Sequence, residues 1–319
     1  MTARRMRRSR VLAKLRQGQV ATCLKINLAD ARAVEIAAMA GFDSLWTCME
    51  HVPNDWSVIE KQILAAKAHD VDMVVRVARG SYSDLVKPLE MDATAIMVPH
   101  VMNLEDAKTV IRHTKFYPLG LRPLDGGNAD GAYTAIGLAE YMENANRERF
   151  NILQIEDPEP LGQLDEIAAL PGLDMLFFGP GDFSQAIGEP GNMQHPLIQE
   201  ARRKVAETAR KHGKFAGTVG SVENFDELAD MGYQWISVGA DVVGLTRYCQ
   251  DIADRLSAKT ARWNRESGHR GFGSSESGSS GSGTSECGSN ESGTGESCSH
   301  ESAEHKSGKS ESRPGVYSD

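Results

Sequence analysis

The sequence has no hydrophobic run long enough to cross a membrane, no glycine-rich phosphate loop and no closely spaced pair of cysteines. A membrane-spanning helix needs about 20 consecutive apolar residues. Because neither a G-x-G-x-x-G pattern after a strand nor a Walker loop is present, a nucleotide cofactor has no support in the sequence. The five scattered cysteines argue against a disulfide framework and for a reducing compartment, so we expect a cytoplasmic protein.

Positively charged residues are fewer than negatively charged ones. The sequence has 35 lysines and arginines and 44 aspartates and glutamates, which gives a net charge of −9. This balance argues against nucleic acid as a partner. The exception is the arginine-rich start of the chain, residues 4–10. No apolar segment follows it, which argues against a secretory signal. A mitochondrial presequence is the alternative, but the basic stretch runs directly into residues 11–15, which have the pattern of a first helix.

Composition divides the chain into two parts. From about Gly268 the sequence is rich in serine, glycine and glutamate and almost free of aliphatic residues. Such a segment cannot bury enough apolar surface to offset the entropy lost on ordering. We therefore predict a disordered tail over residues 266–319 and one folded domain over residues 1–265, which is the usual size of a single α/β barrel.

Short apolar segments alternate with amphipathic helical patterns along the predicted domain. The eight candidate strands lie at residues 22–26, 44–47, 73–77, 95–98, 151–155, 175–178, 215–218 and 235–238. Strand–helix alternation repeated eight times favours either a closed parallel barrel or a doubly wound sheet. We predict the barrel, an α/β (β/α)8 TIM barrel, because its size fits and because polar residues follow so many of the strands.

Two of these strands end in carboxylates. One runs directly into Glu156, and the other runs through Gly179 and Gly181 into Asp182. In an α/β barrel the chemistry lies at the carboxyl ends of the strands. Two acids on neighbouring strands, without cysteine or histidine beside them, suit a hard divalent cation with oxygen ligands. Each acid alone could instead cap the helix that follows it.

Further polar residues lie at the ends of other candidate strands. Glu50 and His51 follow the second, Arg76 lies in the third, and His100 follows the fourth. A cation site with an arginine and a histidine can stabilise negative charge that develops on oxygen and can move protons near neutral pH. These are the groups that a reaction through an enolate intermediate requires.

In this order, the motifs resemble those of the HpcH/HpaI aldolase family, the metal-dependent pyruvate aldolases of the phosphoenolpyruvate/pyruvate barrel superfamily. The resemblance covers about residues 10–257. It rests on the segments Ala-Gly41-Phe-Asp, Met-Glu50-His51-Val-Pro-Asn-Asp55, Val-Val-Arg76-Val, Met-Val-Pro99-His-Val, Leu-Gly-Leu-Arg122, Leu-Gln154-Ile-Glu156-Asp-Pro158, Phe-Gly179-Pro-Gly-Asp182-Phe-Ser and Ser-Val-Gly239-Ala-Asp.

The resemblance implies reversible aldol cleavage of a 4-hydroxy-2-oxo acid to pyruvate, or a close 2-oxo acid, and an aldehyde, through a metal-stabilised enolate. It implies that Glu156 and Asp182 hold a divalent metal, Mg²⁺ or Mn²⁺ by preference, with Co²⁺ or Zn²⁺ as substitutes. By the same resemblance, Gln154 and the backbone amides of Gly181 and Asp182 bind the substrate, and Arg76 neutralises the enolate.

The resemblance makes His51 the acid–base group. Its partner carboxylate falls on Glu90 if one gap is allowed, with Asp84 and Asp92 as nearby alternatives. Family membership would also imply a homo-oligomer, a trimer or hexamer, with sites near subunit interfaces. In that assembly the final helix, near residues 242–256, would pack on a neighbour.

Two residues depart from the family pattern. Lys25 stands where better-known members carry a bulky aromatic; it could contact an anionic group on the aldehyde or form a Schiff base with pyruvate. Cys48 stands where an acid commonly lies three residues before His51, which would change the support of ordered waters. As a nucleophile it has little support, because a buried thiol is usually inert. Arg122 could contact substrate or bridge subunits, and His100 is expected at the rim of the site at most.

Two other functions stay open beside the lyase. Decarboxylation of oxaloacetate would pass through the same enolate. A non-catalytic oligomeric barrel that binds a metal or metabolite is a further alternative, to which Cys48 and the long tail give some weight. The intact set of Glu156, Asp182, Arg76 and His51 favours the lyase.

Overall fold

The computed structural model describes residues 5–267, which contain a closed barrel of eight parallel strands in chain order. The strands are β1 (Ala21–Ile26), β2 (Ser44–Cys48), β3 (Asp72–Arg76), β4 (Ala95–Val98), β5 (Phe150–Ile155), β6 (Met175–Phe178), β7 (Phe215–Gly220) and β8 (Trp235–Ala240). The barrel closes where β1 pairs with β8, Ala21 lying opposite Trp235 and Thr22 opposite Ile236. The predicted TIM barrel is confirmed, and the doubly wound sheet is excluded.

Helices connect the strands and form the outer layer. They are α1 (Arg10–Leu15), α2 (Ala31–Met39), α3 (Trp56–Ala68), α4 (Tyr82–Glu90), α5 (Leu104–Thr114), α6 (Leu138–Glu148), α7 (Leu164–Ala168), α8 (Pro180–Ala186), α9 (Pro196–Lys211), α10 (Phe225–Met231) and α11 (Asp241–Ser267), with a 3₁₀ turn at Glu159–Gln163. Asp30, Asp55 and Asn103 accept backbone N–H bonds at the starts of α2, α3 and α5. These caps explain where the three helices begin.

The interior of the barrel is filled by aliphatic and aromatic side chains. Phe177 meets Trp46 and Trp235 edge to face, with ring centroids 5.8 Å and 5.6 Å apart. A Cβ atom at Gly217 would lie 2.9 Å from both Phe177 and Trp235, so the packing requires glycine there. The apolar residues of α1 pack into the same cluster. Because the interior is filled, the barrel has no central channel, and the site of an α/β barrel is expected at its carboxyl edge.

Between α5 and α6 lies an irregular segment, and residues 117–131 of it are held by a buried polar network. Arg122 and Asp130 form an ion pair 2.8 Å long, and both side chains are fully buried. The hydroxyl of Tyr141 donates a hydrogen bond to Asp130 at 2.7 Å. In the described chain Arg122 is therefore a structural residue of this loop.

By its contacts the chain divides into a unit that includes the described residues up to Gln250 and a second unit in which residues 251–267 are helical. The predicted tail, residues 266–319, lies outside the described residues except for its first two positions, which end α11. Within residues 5–267, no helix combines the length and apolar character that a membrane span requires.

Candidate active site

A cavity opens at the carboxyl edge of the barrel, where β1, β2, β3, β5 and β6 end. It is lined by Lys25, Trp46, His51, Arg76, Gln154, Glu156, Phe177, Gly179, Pro180, Gly181, Asp182 and Val219. Seven of the eight predicted site residues are in this set, and Glu90 is the exception. Parallel strands bring their carboxyl ends to one edge, which is why residues so distant in the chain meet here.

Glu156 lines the cavity and is almost fully buried, with 1% of its surface exposed. Its Oε1 accepts a hydrogen bond from the backbone N–H of His100 at 2.8 Å, and its Oε2 accepts one from Nε2 of Gln154 at 2.8 Å. Burial raises the pKa of Glu156 to about 7, and the nearby charge of Asp182 acts in the same direction. Gln154 therefore orients the carboxyl group of Glu156, whose ionised form is disfavoured by burial.

Asp182 reaches the cavity because β6 runs into α8 through a glycine. A Cβ atom at Gly179 would lie 2.5 Å from Oε2 of Glu156, so a larger residue there would displace that carboxylate. Helix α8 starts at Pro180, where the missing N–H costs nothing. The amides of Gly181 and Asp182 lie in the first turn, where helical N–H groups have no partner within the helix. They are available to an anionic ligand.

The geometry fits a divalent cation. One ring nitrogen of His100 and one carboxylate oxygen each from Glu156 and Asp182 lie within 4.8 Å of one another. Carboxylate oxygens are the preferred donors for Mg²⁺ and Mn²⁺, and imidazole is a good donor for other first-row metals. A cation between Glu156 and Asp182 would offset both the burial of one acid and the repulsion between the two.

Arg76 is buried and held from three sides. Its Nε lies 3.2 Å from Oε2 of Glu50, and its guanidinium stacks 4.8 Å from the ring centroid of Trp46. The sulfur of Cys48 accepts hydrogen bonds from the same guanidinium and, at 3.3 Å, from the backbone N–H of His51. Cys48 therefore has a positioning role, and Arg76 presents a fixed positive charge to the cavity.

His51 and Lys25 lie on the walls of the cavity. The side chain of His51 is 54% exposed, and its Nε2 lies 3.5 Å from Oε2 of Glu50. Lys25 is 6% exposed, with its Nζ 5.1 Å from the ring centroid of Trp46. An exposed imidazole can exchange protons with solvent, and a buried ammonium favours an anionic group on a ligand.

Glu90 does not lie with the other predicted residues. Helix α4 follows the carboxyl end of β3 and runs back towards the amino end of β4, so its last residue, Glu90, lies at the opposite edge of the barrel from His51. Burial raises the pKa of Glu90, whose charged neighbours are Arg122 and Asp130. Among residues 5–267, no hydrogen bond or ion pair joins Glu90 to His51.

The alternative partners of His51 are also occupied elsewhere. Asp84 accepts a hydrogen bond from the backbone N–H of Ser81 at the start of α4, at 2.7 Å. Asp92 forms ion pairs with Lys67 and Arg149. Within one chain, therefore, the nearest carboxylate to His51 in these contacts is Glu50.

Two residues of the site were given no role by the sequence. Glu50 lies between Arg76 and His51, and its Oε1 is 3.7 Å from Nε2 of His100. A ring nitrogen of His100 lies in a cluster with Glu156 and Asp182, while its side chain is 35% exposed and is not among the residues that line the cavity. The signal for both was their position directly after β2 and β4, since residues at strand ends point into the site of a barrel.

The sequence profile described as HpcH/HpaI aldolase/citrate lyase matches residues 22–247. The chain is 32% identical over 249 residues to a hydroxypyruvate/pyruvate aldolase of Pseudomonas aeruginosa, covering 78% of this chain and 92% of that protein. It is 29% identical over 248 residues to a 4-hydroxy-2-oxo-heptane-1,7-dioate aldolase of Escherichia coli, covering 77% of this chain and 94% of the other.

A similar solved structure is that of an HpcH/HpaI aldolase from Desulfitobacterium hafniense. The two folds superpose with a TM-score of 0.73 at 27% sequence identity, over 77% of this chain and 95% of the other. The region that matches the family, residues 22–247, includes every residue that lines the cavity.

Proposed function

The chain belongs to the HpcH/HpaI aldolase/citrate lyase family, and we propose that it is a divalent-metal-dependent aldolase. The proposed reaction is the reversible aldol cleavage of a 4-hydroxy-2-oxo acid to pyruvate, or a close 2-oxo acid, and an aldehyde. The observation that carries the proposal is the meeting of Glu156, Asp182 and the fixed charge of Arg76 in one cavity. The names of the relatives, a pyruvate aldolase and a 4-hydroxy-2-oxo acid aldolase, support the same reaction class.

Glu156 and Asp182 would hold the cation, which could be Mg²⁺, Mn²⁺, Co²⁺ or Zn²⁺. The chemistry that the cation supplies when bound is Lewis-acid stabilisation of negative charge on the substrate oxygens. Gln154 keeps the carboxylate of Glu156 in place through the hydrogen bond to Oε2.

The anionic substrate is held by backbone N–H donors and by positively charged side chains. The free amides of Gly181 and Asp182 bind the carboxylate of the 2-oxo acid. Arg76 faces the oxygen on which enolate charge develops, and its burial strengthens that interaction. Lys25 would bind an anionic group on the aldehyde, which makes a carboxylated aldehyde a preferred partner.

His51 would move the proton. In cleavage, the imidazole takes the proton of the C4 hydroxyl while the C3–C4 bond breaks. The electron pair of the C3–C4 bond passes into the enolate of pyruvate. Return of the proton to C3 gives pyruvate. An imidazole can both accept and donate a proton under physiological conditions.

Glu90 can serve His51 only across an interface between two copies, because the two residues lie at opposite edges of one barrel. We therefore keep Glu90 as a catalytic residue only within the proposed trimer or hexamer. The same reasoning predicts that a monomeric form would lack this carboxylate and would transfer protons more slowly.

The test is exchange of the methyl protons of pyruvate with deuterated water, followed by NMR with the full-length protein and Mg²⁺ or Mn²⁺. Exchange that EDTA abolishes and that Glu156→Gln lacks would support metal-dependent enolisation. Exchange that survives EDTA would point to a Schiff base at Lys25. If no cation supports exchange, pyruvate is not the nucleophile and the proposal fails.

A further inference from the structure

His100 adopts a backbone conformation that few residues other than glycine use. Its φ is +49°, in the left-handed region, where histidine is among the tolerated exceptions. In this conformation its backbone N–H reaches Oε1 of Glu156 at 2.8 Å while its ring Nδ1 reaches Oδ2 of Asp157 at 2.8 Å. One residue at the end of β4 is thereby tied to two consecutive acids at the end of β5.

The contact with Asp157 decides which ring nitrogen carries the proton in neutral His100. A carboxylate only accepts hydrogen bonds, so the N–H lies on Nδ1 and the lone pair lies on Nε2. Histidines that bind metals usually donate their other ring N–H to a carboxylate, which fixes the orientation of the ring and makes the ligating nitrogen more basic. Asp157 and His100 have this arrangement beside the two acids of the site.

We propose that His100 is a third protein ligand of the cation, beside Glu156 and Asp182, and that Asp157 orients it. The inference rests on the metal site of the proposed function and narrows the class of cation that it takes. A ring nitrogen of His100 lies in the same 4.8 Å cluster as the two carboxylates; Nδ1 is 3.8 Å from Oε1 of Glu156, and Nε2 is 3.7 Å from Oε1 of Glu50. A contraction of the cluster that keeps Nδ1 on Asp157 would bring Nε2 and the two carboxylates onto one ion.

The consequence concerns metal preference. Oxygen donors alone favour Mg²⁺, Ca²⁺ and Mn²⁺, whereas an imidazole nitrogen increases the affinity for Co²⁺, Zn²⁺ and other transition metals relative to Mg²⁺. The protein therefore takes a first-row transition metal in preference to Mg²⁺ when both are offered, and this preference depends on His100.

The first measurement is titration calorimetry of Co²⁺ and Mg²⁺ into full-length, metal-free protein. We expect His100→Gln to weaken Co²⁺ binding about 10- to 100-fold while Mg²⁺ binding changes less than about threefold. The matched control is His212→Gln, because His212 also forms a histidine–aspartate pair, 2.8 Å from Asp165, but on the surface away from the cavity. It should change neither affinity.

The second measurement is pulsed EPR of bound Mn²⁺, which detects a directly coordinated nitrogen. We expect nitrogen coupling in the natural protein and in His51→Gln, and its loss in His100→Gln. In case His100→Gln disturbs the fold, Asp157→Asn keeps the ring and should retain the nitrogen coupling with Co²⁺ binding weakened by about tenfold.

Three results would overturn the inference. They are nitrogen coupling that persists in His100→Gln, an unchanged ratio of Co²⁺ to Mg²⁺ affinity in that variant, and equal loss of both cations. If the natural protein exchanges pyruvate protons in a metal-dependent way while one of these results is found, the aldolase proposal stands and only the role of His100 falls. If the natural protein binds neither cation, both fall.

Discussion

The sulfur of Cys48 lies 3.3 Å from Nε and 3.2 Å from Nη2 of Arg76, so one buried thiol faces two guanidinium nitrogens. The same sulfur is 3.3 Å from the backbone nitrogen of His51. Three N–H groups therefore converge on a position where the resemblance leads one to expect a carboxylate. In this chain the thiol takes over the acceptor role and links Arg76, which we propose faces the enolate, to His51, which we propose moves the proton.

The first prediction concerns that link. In Cys48→Ala the N–H groups of Arg76 and His51 lose an acceptor, and we expect kcat to fall about tenfold, since a lost hydrogen bond to a charged group is worth about 1.5–3 kcal/mol. Cys48→Asp should fold and retain activity, because the three donors suit a carboxylate. Steady-state kinetics of pyruvate aldol addition measure both effects.

The matched control for Cys48 is Cys23→Ala, which truncates another fully buried thiol of the barrel, in β1. It should leave kcat and KM unchanged even if it lowers the melting temperature. Unaltered kinetics in Cys48→Ala would show that the sulfur does not position Arg76.

The second prediction concerns pH and Glu156. Because burial raises the pKa of its carboxyl from 4.5 to about 7, the folded metal-free protein binds this proton more tightly than the unfolded chain does. The contribution to stability is therefore fully present below about pH 4.5 and is lost as the pH rises to about 7 and above. In EDTA, Glu156→Gln should lose less stability than the natural protein over this range.

Chemical denaturation at pH 5 and pH 8 measures this difference, and subtraction of the two proteins cancels the other titrating groups. Between pH 5 and pH 8, the unfolding free energy of Glu156→Gln should rise relative to that of the natural protein by on the order of 3 kcal/mol. A cation added at pH 8 should stabilise the natural protein and not the variant. A difference that is the same at both pH values would contradict the prediction.

The third prediction concerns Gly179. In Gly179→Ala the new methyl group would lie 2.5 Å from Oε2 of Glu156, so either the carboxylate or the strand end must move. We expect metal affinity to fall more than about tenfold and stability to fall by about 1–3 kcal/mol, as for other overpacked sites. Gly162→Ala is the control, because a Cβ there meets nothing within 4 Å. Calorimetry should separate the two variants clearly.

The sequence was sufficient for the barrel and for most of the cavity, for a physical reason. Apolar runs bounded by turns predict strands, and parallel strands must bring their ends to one edge, so Glu156 and Asp182 had to meet once eight strands were found. The places of Glu90 and His100 depend instead on helix direction and on one left-handed backbone angle. Periodicity carries no information about either.

The fourth prediction concerns Lys25. If its ammonium binds an anionic group on the aldehyde, Lys25→Met should lower kcat/KM for a carboxylated aldehyde at least about tenfold relative to a neutral aldehyde, about the value of one partly buried charged contact. Lys25→Arg keeps the charge and should keep most of the preference. Borohydride should trap no pyruvate adduct in the natural protein or in Lys25→Arg. Equal losses for both aldehydes would show that Lys25 does not select the substrate.

The fifth prediction tests whether Arg122 stabilises its loop or contacts the substrate. Its ion pair with Asp130 is fully buried, so Arg122→Met leaves a buried charge without a partner, which costs about 3–5 kcal/mol. We expect a large loss of stability with KM for pyruvate unchanged. The double variant Arg122→Met/Asp130→Leu removes both charges and should recover part of the stability, since an apolar pair tolerates burial.

Denaturation and kinetics on the same preparations test this directly. A raised KM for pyruvate in Arg122→Met, with the unfolding free energy unchanged, would instead assign Arg122 to substrate binding. The structure favours a loss of stability with KM unchanged. Tyr141 also donates a hydrogen bond to Asp130, and the aromatic ring of Phe116 lies 4.8 Å from the guanidinium of Arg122. These contacts hold Arg122 within the loop and neutralise its charge without a ligand through Nη2, while its Nε and Nη1 are buried without a hydrogen-bond partner among the described residues.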